Sequence, residues 1–139
     1  TGEIPDSLED VKRALKKSSI VICGALGYRN NMTSDGNAAE LAKYLKANLF
    51  INLTDVKGLY TKDPKKYKDA KFITKINHKD FLKMAKKIKF KVGQHFVLDT
   101  AAAKIIDKEK TKTFILKGTD LKNLKNFLDE KKFYGTEIY

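Results

Sequence analysis

A chain of 139 residues with 42% hydrophobic side chains is long enough for one domain with a sizeable core and too apolar to be disordered. No run approaches the roughly twenty apolar residues that cross a bilayer, residues 1–10 are polar and acidic rather than leader-like, and a single cysteine, Cys23, excludes an internal disulfide and fits a reducing cytoplasm. The net charge of +12 comes from scattered lysines without zinc-finger spacing, recognition-helix pattern or interleaved aromatics, so it reads as solvated surface with a few phosphate-facing groups, and neither nucleic acid nor membrane is an expected partner.

In chain order, Leu8, Val11 and Leu15 fall on one face of a short amphipathic helix, and residues 19–23 read as a buried strand. Gly24 and Gly27 follow, so backbone amides between Ala25 and Asn31 can approach a phosphate or a sugar, helped by the amino end of the next helix. Thr33 is placed to cap that helix, Asp35 stands in its first turn where a negative charge suits the dipole, and Ala38, Leu41, Ala42 and Leu45 recur at helical spacing. Residues 49–53 form an apolar, β-rich run expected to be a buried strand, which empties at once into Thr54 and Asp55. Gly58 permits a tight bend, Tyr60 offers a flat face for a base, and Asp63-Pro64 opens a turn whose carboxylate can accept a ribose hydroxyl. Lysines 57, 62, 65, 66, 68, 71 and 75 surround this loop, and residues 61–71 are lysine-rich enough to be expected mobile. On spacing alone the loop is equally well read as a connection built from good turn residues.

Beyond it, Phe81, Leu82, Ala85 and Ile88 make one helical stripe, and Asp99 is placed to cap a helix carrying Ala102, Ile105 and Ile106. Residues 113–116 read as a strand ended by Gly118, residues 120–129 as a helix with Leu121, Leu124 and Leu128 inward, and residues 135–139 as a final strand. The alternation predicts an α/β fold, a mainly parallel sheet sandwiched by helices on both faces, forming one domain over residues 1–139. In such sheets ligands bind beyond the carboxyl ends of the strands. No acidic or cysteine cluster accompanies His95 at ligand spacing, so no protein metal site is expected.

Residues 52–76, NLTDVKGLYTKDPKKYKDAKFITKI, resemble the nucleotide-binding loop of the amino-acid-kinase superfamily. They are most similar to archaeal-type uridylate (UMP) kinases, which read T-N-V-D-G-V-Y-x-x-D-P-K-K-x-P-x-A-K. Upstream, GYRNNMTSD (27–35) resembles that family's Gly-rich segment ending in T-T-D. Downstream, FVLDTAAAKII (96–106) resembles V-x-D-P-x-A-A-K-I-I, and GTEI (135–138) the closing G-T-x-I. The chain has Thr100 where the family has Pro and Asp55 where it commonly has Asn, and residues 25–32 lack its usual glycine pattern.

The resemblance covers the C-terminal, ATP-binding half of such a kinase; the first half, with its phosphate loop, catalytic lysine and acceptor-binding Arg and Asp, has no counterpart here. It implies ATP-dependent, Mg2+-assisted phosphoryl transfer from ATP to UMP, in cytoplasmic pyrimidine biosynthesis, by a homo-oligomer, hexameric in the family, that needs the missing half as further chain or partner. This chain alone is then inactive. Thr54, Asp55, Gly58, Tyr60 and Asp63 are implied to hold ATP and Asp35 to organise the reactive charges. Gly27, Tyr28, Arg29, Asn30, Asn31, Met32, Thr33 and Ser34 would line the acceptor, with Lys91 and Gly93 near the ATP phosphates. The alternative is a non-catalytic nucleotide- or oxyanion-binding protein on the same fold, as in molybdenum/tungsten storage proteins.

Overall fold

The computed structural model describes residues 4–24, 26–27, 33–89 and 97–139. Five helices and six strands follow one another as α1 (Leu8–Leu15), α2 (Ser34–Tyr44), β1 (Phe50–Thr54), β2 (Leu59–Tyr60), β3 (Phe72–Ile73), β4 (Lys75–Ile76), α3 (His78–Lys89), α4 (Thr100–Glu109), β5 (Thr113–Lys117), α5 (Leu121–Leu128) and β6 (Thr136–Ile138). Each of the five helices starts where a side chain replaces the missing backbone acceptor. Ser7, Thr33, Asn77, Asp99 and Asp120 accept the N–H of Asp10, Gly36, Asp80, Ala102 and Asn123 at 3.2, 3.1, 2.9, 2.7 and 3.0 Å, caps each worth about 0.5–2 kcal/mol.

The main sheet has the order β1-β5-β6-β4. β1 and β5 run parallel in register from Phe50 opposite Thr113 to Thr54 opposite Lys117, β4 and β6 are parallel, and β5 and β6 antiparallel. β2 and β3 form a separate antiparallel ribbon, Leu59 opposite Ile73 and Tyr60 opposite Phe72. Side chains alternate faces along β5. Ile115 enters the core built from Ala39 of α2, Phe81 and Ala85 of α3 and Ala102, Ala103 and Ile106 of α4. Phe114, on the opposite face, meets Phe127 of α5 at 4.7 Å and Phe133 at 5.7 Å between ring centroids. The expected mostly parallel sheet with helices on both faces is therefore present.

Four expectations are corrected. Residues 19–23 form no strand, and Ile20 and Ile22 are 79% and 85% exposed: an apolar extended segment stays a strand only when a neighbouring strand satisfies its backbone, and among the described residues no strand pairs with it, the Ile20 N–H and carbonyl meeting only the nearby Ser18 hydroxyl. β1 is a half-exposed edge rather than a buried strand, with β5 its one hydrogen-bonded neighbour among the described residues. On α5, Leu121 and Leu128 are 71% and 62% exposed. The helix is turned by its other side, where Phe127 joins the aromatic cluster and the Asn123 amide both donates to the Tyr134 carbonyl and accepts its N–H, each at 2.7 Å. On α2 the buried positions are Gly36 and Ala39, while Ala38 is exposed.

The lysine-rich loop after β2 is organised rather than unstructured. The Thr61 N–H donates to the Lys71 carbonyl at 2.9 Å, the Lys71 N–H to Thr61 Oγ1 at 3.0 Å, and Lys62 meets Asp69 at 2.6 Å. The exposed ion pair adds little; the backbone bond and the backbone-to-hydroxyl bond between Thr61 and Lys71 close the loop at its neck.

Candidate functional site

At the carboxyl end of β1 the chain opens into a cleft of about 360 Å³, lined by Asp35, Asn52 to Asp55, Gly58 to Lys65 and Val97 among others. The cleft sits there because the parallel β1–β5 pair ends in a gap. The Gly118 N–H donates to the Thr54 carbonyl at 2.8 Å, holding both strand ends together, while residues 55–58 swing away to the β2–β3 ribbon. Asn52 is the one amide in an otherwise apolar strand run, and its Nδ2 donates to the Val97 carbonyl at 2.5 Å, fixing the opposite wall.

Within the loop Tyr60, Asp63 and Asp55 each have an identifiable anchor. Tyr60 packs against Phe72 with ring centroids 5.2 Å apart and tilted by 58°. Asp63 organises a turn: its carboxylate accepts the Lys65 N–H at 2.9 Å and its carbonyl the N–H groups of Lys66 and Tyr67 at 3.1 and 3.0 Å. The exposed Asp55 carboxylate is bonded by the Lys65 ammonium. That bond holds the Asp55 carboxyl below its usual range and raises the Lys65 ammonium. Both groups line the cleft, so a polyanion entering it competes with Asp55 for Lys65.

Asp35, in the first turn of α2, reaches the same cleft. It is half-buried, and its carboxyl is raised above the ordinary value, first by burial and then by the charge of Asp99, partly offset by a hydrogen bond from the Asp99 backbone. Asp99 also accepts the Thr33 hydroxyl, so the first turns of α2 and α4 are clasped by their own caps. A carboxylate kept ionised at a cost gains more than an exposed one when a cation arrives.

The fold thus gathers Asp35, Thr54, Asp55, Gly58, Tyr60 and Asp63 around one cleft. Gly27 adopts φ +73° and Thr33 and Ser34 are exposed; none of the three is in the cleft lining. Tyr28, Arg29, Asn30, Asn31, Met32, Lys91, Gly93 and His95 lie outside the described residues. Asn52 and Val97 were not singled out from the sequence; the lone amide between Ile51 and Leu53 was the available signal. Among the described residues no group of three or more His, Cys, Asp or Glu side chains is placed to hold a metal ion. No helix among them is long and apolar enough to cross a membrane.

Comparison with known proteins places this geometry. The model of the amino acid kinase family matches residues 4–117. A uridylate kinase of Methanocaldococcus jannaschii is 38% identical over 117 residues, 84% of this chain and 51% of its own. That of Methanothrix thermoacetophila is 36% identical over 135 residues, 97% of this chain and 59% of its own. The crystal structure of uridylate kinase from Archaeoglobus fulgidus superposes with a TM-score of 0.84 at 29% identity, covering 100% of this chain and 61% of that one. The chain spans just over half the length of the curated relatives it matches, and it belongs to the amino acid kinase family.

Proposed function

We propose that this chain is the ATP-binding, C-terminal half of a nucleoside monophosphate kinase that transfers a phosphoryl group from ATP to UMP, completed by a first half lying outside it. The observation that carries the reading is the cleft after β1, where an aromatic ring, a turn carboxylate and a displaceable lysine stand together. The uridylate kinases among its relatives support the acceptor. The half-exposed β1 edge and the exposed Ile20 and Ile22 support a completing segment.

Phosphoryl transfer needs positioning and charge neutralisation more than covalent help. In this reading Tyr60 stacks on the adenine, Asp63 accepts from the ribose while its own turn fixes the carboxylate, and Lys65 leaves Asp55 for the phosphates. Thr54, Asp55 and Gly58 shape the floor, and the acceptor lies toward residues 27–34. Asp35, the half-buried acid of the cleft lining, would be the carboxylate to hold a magnesium ion brought with the nucleotide, which needs only one or two carboxylates besides phosphate and water and would supply charge neutralisation on the phosphates.

The test is calorimetry with ATP, followed by UMP-dependent ADP release with and without the first half of a relative such as the Methanocaldococcus jannaschii enzyme. ATP binding by this chain, with turnover only in the mixture, is expected. Absence of ATP binding overturns the nucleotide reading, and turnover by this chain alone overturns the need for completion.

A further inference from the structure

We propose that Thr136, on β6 and remote in sequence from the cleft, is the residue that positions the nucleotide loop; the role rests on reading the cleft as an ATP site. Thr136 is fully buried. Its hydroxyl oxygen accepts the Leu59 N–H at 2.7 Å, and its O–H donates to the Ile73 carbonyl at 2.6 Å. Leu59 and Ile73 face each other across the β2–β3 ribbon. One hydroxyl therefore fastens both strands of that ribbon to the closing strand of the main sheet.

The ribbon needs such an anchor. It pairs two residues with two, and an isolated two-stranded ribbon is marginal in water. It also carries Tyr60, seated against Phe72 of the facing strand, so its position sets where the ring stands in the cleft. Gly58 approaches the anchor from the other side: a Cβ there would lie 2.6 Å from Thr136 Oγ1 and 3.1 Å from the Thr136 backbone nitrogen. The start of β2 is thus fixed by a hydrogen bond and a close backbone approach at the same residue. Valine would keep the shape of Thr136 but leave the Leu59 N–H and the Ile73 carbonyl without this partner in a dry interior. Such groups recover partners by moving, and Tyr60 moves with them.

The experiment uses the 139-residue chain with ATP as the calorimetric probe and compares wild type, Thr136→Val, Thr136→Ser and a core control, Ile106→Val, on buried Ile106 of α4. The expected result is a Kd for ATP raised about tenfold or more by Thr136→Val, restored to within a few fold by Thr136→Ser, which keeps the hydroxyl, and unchanged in Ile106→Val. Wild-type affinity in a folded Thr136→Val overturns the inference. Amide hydrogen exchange decides independently of ATP, and so separates failure of this role from failure of the nucleotide reading. In wild type the Leu59 amide should exchange as slowly as that of Ile115, and in Thr136→Val at least tenfold faster with the Ile115 amide unchanged. If Thr136→Val does not fold, the wild-type measurement stands alone: a Leu59 amide exchanging as fast as exposed loop amides overturns the anchor.

Discussion

Replacing Gly58 by alanine perturbs the loop at the point where it leaves β1 for β2. Two costs add. Gly58 has φ +158°, a conformation that side chains with a Cβ rarely adopt, and holding one there costs about 1–3 kcal/mol. The new methyl would also meet Thr136 Oγ1 at 2.6 Å, Phe72 Cε2 at 3.0 Å and the Thr136 backbone nitrogen at 3.1 Å. The nitrogen belongs to a strand paired on both sides and cannot recede, so overpacking adds about 1–3 kcal/mol. A total of about 2–6 kcal/mol, at roughly 3–4 °C per kcal/mol for a chain of this size, lowers the melting midpoint by roughly 6–24 °C. Circular dichroism melts at fixed concentration measure it, and two other glycines serve as internal standards. Gly27 has φ +73° but, among the described residues, no atom within 4 Å of an added Cβ, and Gly24 meets neither constraint among them. Gly27→Ala should therefore cost only the conformational part, and Gly24→Ala should be neutral or slightly stabilising. A Gly58→Ala midpoint within 2 °C of wild type, or a loss no greater than that of Gly27→Ala, refutes the close approach to Thr136.

Three further outcomes are expected. The raised Asp35 carboxyl means that ionisation opposes folding: its contribution is present below the ordinary carboxylate pKa and lost as pH rises through the raised one. Asp35→Asn should accordingly raise the midpoint of this chain at pH 7, yet lower kcat of the completed enzyme by roughly a hundredfold; a lowered midpoint with normal turnover would make it a simple helix-dipole contact. Tyr60→Ala and Asp63→Ala should each weaken ATP binding by about 1–3 kcal/mol, and unchanged calorimetric affinity in both would return the loop to a purely structural role. Glu137 meets Lys75 at 2.7 Å and Lys112 at 3.2 Å, and its carboxyl lies below its ordinary 4.5. The stability it contributes is present above that value and lost as pH falls through the lowered one, so Glu137→Gln should lower the midpoint at pH 7 and converge on wild type in acid. A deficit that persists at pH 2–3 would assign the loss to packing instead.

Local signals were legible where one short-range rule decides the outcome. The caps Thr33 and Asp99 and the loop residues Gly58, Tyr60 and Asp63 declare themselves through side-chain chemistry and turn preference. What failed to show was partner choice. Residues 19–23 and 49–53 read as equally apolar strands, but only the latter finds a ladder, on β5, more than fifty residues away in sequence. Leu121 and Leu128 have helical spacing identical to that of inward residues, and their side is lost because Phe127 and Asn123 engage distant Phe114 and Tyr134 more strongly. The two-residue strands β2, β3 and β4 are too short to carry a period. Thr136 was visible as part of the G-T-x-I resemblance, but its anchoring role was not, since both partners of its hydroxyl lie more than sixty residues upstream.

The half-exposed β1 edge bears on how the isolated chain behaves in solution. An outer strand whose far edge has no strand partner among the described residues, with the exposed side chains of Leu49 and Leu53 beside it, is a template for pairing with another copy. A net charge of +12 keeps copies apart at low ionic strength, where the screening length is about 30 Å at 0.01 M, and far less effectively near 1 M, where it is about 3 Å. Added salt should therefore drive this chain toward aggregation instead of dissolving it.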